Sequence, residues 1–400
     1  MKSHASWKRV AISVLLAGAT IGVGLALAGE ETTQCFGHSI PPFQEVFVKL
    51  FRATATLMSM DQLKTTSAQM SDTERAAISY YLGEKGHRQV KEGLPQEKQV
   101  FLDEKYRVST GIPPVQDFQA VYPHILAISN NNLGPDQLRK TLESLAPADL
   151  ASQSFYLGEE GRKILFSEMT LSGVEEVLNR TEDWTLIETG KRTHNRIKDY
   201  TCILYKQERL GKKLQDVEKI LLKYREKPKS MYMKWLDGPW TGRELVYNEA
   251  LLGAGRVRVR EKGTLGLIAV TIPVDWEIAK RGSNHPCTEI GMKYLLFMIE
   301  NDYRKGIARG ELVRKNYGMV EVDGRQVFKI ESILPKDSSK GYYCYRMMHY
   351  IDFMRSLEIK AEIYRWDDQL YESYLYTQIK LNTGLTDRDF DPKNPDYRLD

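Results

Sequence analysis

Arg281, His285 and Glu289 recur at intervals of four in the stretch Arg281-Gly-Ser-Asn-His-Pro-Cys-Thr-Glu289, a spacing that could assemble an acid–base cluster. Histidine changes charge near neutral pH, a carboxylate beside it could orient the ring, and an arginine could hold an anion. Pro286 lies between His285 and Glu289, so the two need not share a helix face. The same residues serve better to fix a loop and to cap the helix that follows it. Asp387, Asp389 and Asp391 alternate like calcium ligands but lack the glycine and terminal glutamate of an EF-hand loop, so they read as a solvated cap. The seven histidines form no H-x-x-H or H-E-x-x-H, and no G-x-S-x-G, Walker or dinucleotide pattern falls in a strand–helix setting. Nothing here supports zinc hydrolysis, a serine esterase or nucleotide chemistry. The expectation is a protein that is not an enzyme and takes neither cofactor nor metal.

Four cysteines, Cys35, Cys202, Cys287 and Cys344, could pair in three ways, and without a C-x-x-C no redox motif is present. Cys202 and Cys344 each fall in a predicted strand, which makes theirs the first pairing to test.

A second kind of chemistry is the holding of an apolar ligand. From Tyr200 to Val274 and from Leu312 to Leu381 apolar and polar residues alternate with turns every 10–12 residues, the pattern of an antiparallel meander. Between them, Thr288 is a plausible N-cap, Glu289 suits the first turn, and the run Ile290 to Ile299 is apolar on nearly every side, as in a buried helix. Its continuation, Glu300 to Lys305, turns polar and should run out to solvent. A curved sheet around one helix would place Ile220, Leu222, Tyr224, Met231, Met233 and Trp235 opposite Met292, Leu295 and Leu296. Methionines suit an adaptable pocket, and Arg243 could meet an anionic headgroup at its rim or a carboxylate on a neighbouring strand.

These elements occupy only the second half. Lys2, Lys8 and Arg9 precede an uncharged 19-residue run from Val10 to Ala28 ending in Ala26-Leu27-Ala28, the form of a secretory signal peptide, with an uncleaved anchor as the alternative. Residues 43–91 and 118–166 then match at one ungapped offset of 75, with 14 identities in 49 positions. Phe43-Gln-Glu-Val46 answers Phe118-Gln-Ala-Val121, Asp61-Gln-Leu-Lys64 answers Asp136-Gln-Leu-Arg139, and Tyr81-Leu-Gly-Glu-Lys-Gly86 answers Tyr156-Leu-Gly-Glu-Glu-Gly161. This is the signature of a tandem duplication of a helical unit. The expected domains are a signal segment 1–28, a helical domain 40–170 of two repeats, a linking helix 171–198 and a β domain 199–400.

Lys+Arg number 15 against 22 Asp+Glu in residues 29–183, and 39 against 31 in 184–400. The simplest reading is that the halves attract each other; an anionic lipid headgroup is the sharper one. Without a dense basic patch, nucleic acid is not an expected partner.

Tyr200-Thr-Cys-Ile-Leu-Tyr-Lys-Gln-Glu-Arg209, Lys234-Trp-Leu, Gly242-Arg-Glu, Arg281 to Glu289 and Asp389-Phe-Asp-Pro-Lys-Asn-Pro-Asp-Tyr397 together resemble one family, over roughly Trp184 to Asp400. It is an uncharacterised bacterial envelope domain similar in architecture to the periplasmic lipoprotein carriers (outer-membrane lipoprotein-sorting proteins) and their lipid-binding relatives. The resemblance implies a strongly curved, unclosed antiparallel sheet with helices plugging its concave side, and acyl chains held between them. Cys287 replaces an aliphatic residue of the family motif, which would fit a disulfide peculiar to this chain. The expected fold class is therefore α+β, an N-terminal all-α duplicated helical region followed by a lipoprotein-carrier-like curved antiparallel β half-barrel wrapped around a buried helix. The expected function is that of an exported, non-enzymatic periplasmic protein that binds or carries an apolar, lipid-like ligand. The alternative is an envelope interaction module with a solid core, whose helical repeats dock a protein partner.

Overall fold

The computed structural model describes residues 34–35, 38–39, 43–109, 111, 114–115, 118–167, 169–263 and 268–400. The signal segment, and the side chain of Cys35, lie outside what is described. Among the described residues no helix is long and apolar enough to cross a membrane. The chain divides into two compact units, residues 1–181 and 182–400.

In the first unit two two-residue strands (β1, Gln34–Cys35; β2, His38–Ser39) pair ahead of eight helices among the described residues. They are α1 (Phe43–Leu57), α2 (Met60–Gln69), α3 (Asp72–Lys91), α4 (Gln96–Lys105), α5 (Phe118–Asn131), α6 (Pro135–Glu143), α7 (Pro147–Ser167) and α8 (Leu171–Asn179). Local sequence explains the boundaries. Ser59 and Ser71 open α2 and α3 with capping boxes closed by Gln62 and Glu74. Gly83 and Gly158 take positive φ (56° and 72°) and kink α3 and α7 at equivalent places.

Contacts recur at the 75-residue offset. Gln62 donates to the Asn132 carbonyl and Gln137 to the Leu57 carbonyl, both at 2.8 Å, and the two glutamine amides bond each other at 2.9 and 3.1 Å. The ring pair Phe43–Tyr122 is matched by Phe47–Phe118, and the ion pair Lys49–Asp149 by His124–Glu74.

The second unit opens with α9 (Asp183–Arg196). Where one linking helix over 171–198 is expected, the structure has two, α8 and α9, interrupted at residues 180–182. Next come β3 (Asp199–Leu210), β4 (Lys213–Leu214), β5 (Glu218–Arg225), β6 (Ser230–Asp237), β7 (Glu244–Asn248), the short α10 (Glu249–Leu252), β8 (Arg256–Arg260) and β9 (Val270–Pro273). Helix α11 (Met292–Ala308) follows, then β10 (Val313–Val322), β11 (Arg325–Ile333), β12 (Arg346–Asp352), β13 (Leu357–Tyr364) and β14 (Leu370–Leu381). All twelve strands from β3 on form one antiparallel sheet in the order β10-β11-β12-β13-β14-β3-β5-β6-β7-β8-β9, with β4 paired to β3. The two meanders on either side of α11 are thus sewn together by β14 on β3. The path has two ends, so the sheet is open. Register breaks in five ladders, at Lys219/Ile220, Asn316/Gly318, Tyr350/Ile351, Ile363/Tyr364 and Thr377/Lys380, supply the bulges that twist and curve it.

Pairing fixes which residues share a face. Cys202, Leu222, Met233, Leu245 and Val259 stand opposite one another across five strands, as do Tyr200, Tyr224, Met231 and Tyr247 across four. This row lies under α11, and each aliphatic side chain fully removed from water there contributes ~1.5–3 kcal/mol. On the opposite face Phe390, Tyr397 and Leu399 of the C-terminal tail pack on Tyr232 and Val246, with the Tyr232 and Tyr397 rings stacked 3.8 Å apart. Asp387 and Asp389 clamp that tail through Arg225 and Lys223, both at 2.8 Å.

Helix α11 differs from expectation in two ways. It begins at Met292 with Gly291 as N-cap, while Cys287–Glu289 is a separate 3-10 turn, so Thr288 caps nothing. Its apolar residues are not all buried: Phe297 is exposed, whereas Asp302 and Tyr303 in the polar half are buried, against the Tyr343 amide and His349. Cys344 precedes β12 instead of lying within it. Cys202, Cys287 and Cys344 are free, buried thiols, and among the described residues no disulfide joins Cys202 to Cys344 or involves Cys287. Strands β13 and β14 separate β3 from β12.

Candidate functional site

Between the concave face and the start of α11 lies a cavity of about 600 Å³, part of it open to solvent. Met233, Trp235 and Leu245 come from β6 and β7, Leu295 and Met298 from α11, and Tyr374 and Tyr376 from β14; the 279–291 segment closes one side. Of the ten side chains expected to bind ligand, Met233, Trp235, Arg243 and Leu295 line this space. Ile220, Leu222, Met231 and Met292 are buried in the core beneath it. Tyr224 stacks on Tyr200 at 5.0 Å and donates to Glu226. Leu296 turns into a separate depression of about 420 Å³ beside Leu186, Ile187 and His349.

The polar end of the cavity comes from residues in the same inward phase as the core. Lys206 follows Leu204 by two positions, and Glu208 follows by four. Lys206 pairs with Glu218 at 3.2 Å and Glu208 at 3.6 Å, all three buried. Glu218 also accepts from the Trp235 indole at 2.6 Å. Burial pushes the Glu218 carboxyl up more than Lys206 and Trp235 pull it down.

Arg243 is 1% exposed, stacks over Trp235 at 4.8 Å and donates to the carbonyls of Ile278, Ala279 and Arg281 at 2.8–2.9 Å. It also forms an ion pair with Glu261 at 3.2 Å, an arrangement that pins the loop crossing the cavity.

That loop is held by two buried carboxylates. Glu208 accepts from the Asn284 amide at 2.6 Å and from Tyr374 at 2.9 Å. Glu372 accepts from Asn284 Nδ2 at 3.0 Å, His285 Nε2 at 3.1 Å and Tyr343 at 2.7 Å. His285 Nδ1 faces Glu289 at 3.0 Å. Burial alone would push His285 down, but Glu372, Glu289 and Glu208 outweigh it and raise the imidazole to about 9. Burial pushes Glu372 up, yet His285, Tyr343 and Asn284 leave it below the ordinary carboxylate value. His285 is therefore an imidazolium locked between carboxylates.

Its proton is bound more tightly in the folded protein than in the unfolded chain, so its stabilisation is complete below about pH 6.5 and is lost as pH rises through 9. The depressed Glu372 contributes stability at neutral pH that is lost on acidification below the ordinary carboxylate range. The melting temperature of the β unit should fall between about pH 7 and 10, and His285→Gln should flatten that alkaline limb. A wild-type melting temperature unchanged across that range would contradict the assignment.

Residues 197–399 match the profile of a family described as a protein of unknown function, DUF1571. The chain belongs to the DUF1571 family. The DUF1571 domain is similar to several solved structures. The Mycobacterium tuberculosis lipoprotein LppX is 12% identical over 52% of this chain and 100% of its own, with a TM-score of 0.32. A DUF1329 family protein from Desulfovibrio piger is 12% identical over 52% and 94%, with a TM-score of 0.27. A LolA superfamily protein from Nitrosomonas europaea is 8% identical over 52% and 96%, with a TM-score of 0.25. No curated protein matches the chain.

Within the DUF1571 domain three of the stretches that carry the family resemblance meet at the cavity. The β3 stretch supplies Lys206 and Glu208, Gly242-Arg-Glu supplies Arg243, and the Arg281–Glu289 loop docks on both glutamates. Sequence reasoning missed Lys206, Glu208, Met298, Tyr374 and Tyr376. The strand phase could have found the first two, since they extend the inward series Cys202, Leu204; the basic residues of these strands read instead as a solvated face. Tyr374 and Tyr376 reach the site through the β14–β3 pairing, Tyr374↔Lys206 and Tyr376↔Leu204, 168 and 172 residues apart in sequence.

Proposed function

We propose that the half-barrel holds a small amphiphile with an apolar body and a polar end, and that the protein is an exported, non-enzymatic lipid-binding or carrier protein of the cell envelope. The observation that carries this is the 600 Å³ cavity between sheet and helix, apolar along Met233, Leu245, Leu295 and Met298 and charged at one end. Arg243 is committed to loop carbonyls, so a headgroup would meet Arg281, whose side chain is 38% exposed. The non-enzymatic reading draws support from the loop. His285 is already protonated at neutral pH, and burial pushes the neighbouring Cys287 thiol up to about 12, leaving neither a neutral imidazole nor a thiolate there. The basic and apolar start of the sequence supports export.

The test is native mass spectrometry with lipid extraction on protein purified from its own envelope. Bound lipid is expected, with uptake of a fluorescent acyl probe that Met233→Trp abolishes by filling the cavity. A folded protein that carries no lipid and takes up no probe would sink the carrier reading in favour of a solid-core interaction module.

A further inference from the structure

Four of the large apolar side chains that stand exposed, Ile268, Val270, Trp276 and Ile278, fall within eleven residues at one edge of the sheet. Ile268 is 72% exposed and Trp276 54%. Apolar residues exposed singly are ordinary, whereas a run of them marks a surface that something covers.

The local fold sets them there. Strand β9 ends the path of the sheet and, among the described residues, pairs only with β8. After Pro273 the chain makes consecutive turns, with the Trp276 N–H donating to the Pro273 carbonyl at 3.3 Å and the Lys280 N–H to the Trp276 carbonyl at 3.0 Å. The second bond closes a helical turn, which sets Trp276 and Lys280 on the same side. Arg243 takes the Ile278 carbonyl at 2.9 Å and leaves the Ile278 side chain outside.

The surroundings are basic. Residues 256–281 carry six Lys+Arg against three Asp+Glu. Of the three acids, Glu261 is buried against Arg243 and Glu277 lies 4.0 Å from Lys280. Lys262 stands over the Trp240 ring at 5.5 Å, and Trp240 in turn packs on Gly282, at the end of the same stretch. A peptide strand added to this edge would find only four residues, the last of them Pro273 without an N–H, so backbone pairing offers a protein partner little here. Exposed tryptophan and isoleucine flanked by lysines are the chemistry of a bilayer interface, where the indole settles at headgroup level and the cations meet lipid phosphates.

We propose that the 268–281 edge docks on a lipid bilayer containing anionic headgroups, with Trp276 and Ile278 entering the interface and Lys262 and Lys280 held at its phosphates. This surface adjoins the half-barrel cavity, which Ala279 and Arg281 line, but its docking does not require that the cavity carry lipid.

The test is co-sedimentation of the protein, purified from its own envelope, with vesicles of phosphatidylcholine alone or mixed with phosphatidylglycerol. Binding to the mixed vesicles is expected, and added salt should weaken it. Trp276→Ser together with Ile278→Ser should weaken it about tenfold, because affinity follows the apolar area inserted. Trp276→Phe should keep it, and all these chains should melt as the wild type does. Lys262→Glu with Lys280→Glu should remove the preference for phosphatidylglycerol. Met233→Trp should bind vesicles like the wild type, so that a failed carrier reading leaves this surface standing. Absence of binding, or equal binding by the Trp276→Ser and Ile278→Ser chain, overturns the docking surface. Wild-type binding indifferent to phosphatidylglycerol overturns the anionic headgroup. A concentration-dependent dimer without vesicles, abolished by the same two serines, assigns the patch to a second copy and overturns the bilayer.

Discussion

Replacing Glu372 with alanine should destabilise the β unit by ~3–5 kcal/mol, the cost of removing one partner from a buried ion pair. Glu372 is fully buried and accepts from Asn284, His285 and Tyr343. Truncation leaves the His285 imidazolium with the half-exposed Glu289 as its remaining ion-pair partner and takes an acceptor from Asn284 and Tyr343. Urea denaturation of the full chain measures the effect, and His285→Gln in the same chain should recover part of the loss because it removes the stranded charge. A loss below about 1 kcal/mol, the level of an exposed pair, would show that water reaches the network and replaces the carboxylate.

Gly291→Ala should be the other severe substitution, and it should reach function as well as stability. Gly291 caps α11 at φ 109°, a conformation side chains rarely adopt, with ~1–3 kcal/mol of strain for alanine. A Cβ there would also stand 2.6 Å from the hydroxyl of the buried Tyr200, so either that ring or the start of α11 must shift. A shift of α11 carries Tyr294 and Leu295 at the cavity wall with it. The expected result is a lowered denaturation midpoint together with weakened uptake of the acyl probe. Wild-type stability and uptake would mean that the Tyr200 contact yields freely.

Much of this architecture is legible in the sequence because it depends on short periods. The alternation Ile220, Leu222 against Met231, Met233, Trp235 identifies one face, and the pairing of β5 with β6 puts those residues opposite one another. Leu385, Phe390 and Tyr397 stand out as anchors of a turn-rich tail, and they pack on the outer face. Where the reading failed, a local signal was overridden. Thr288 has the chemistry of an N-cap, but Gly291 takes φ 109°, outside the helical range, and the helix starts three residues later, at Met292. Phe297 looks like core yet is exposed, while Asp302 and Tyr303 further along α11 are buried.

For the candidate site the division is sharper. Period-two alternation and a single apolar helix between two meanders determine that the chain makes an antiparallel sheet around a helix, because side-chain direction in a strand follows from backbone geometry alone. Whether that concavity is filled is not a local property. It depends on the sum of volumes contributed by β6, β7, β14, α11 and the 279–291 loop, and on β14 being brought beside β3 by a pairing that spans most of the unit. The role of His285 likewise depended on tertiary structure. Its spacing from Glu289 suggests an acid–base pair, but Glu372, 87 residues further along, supplies the second carboxylate that keeps it protonated and makes it a structural clamp.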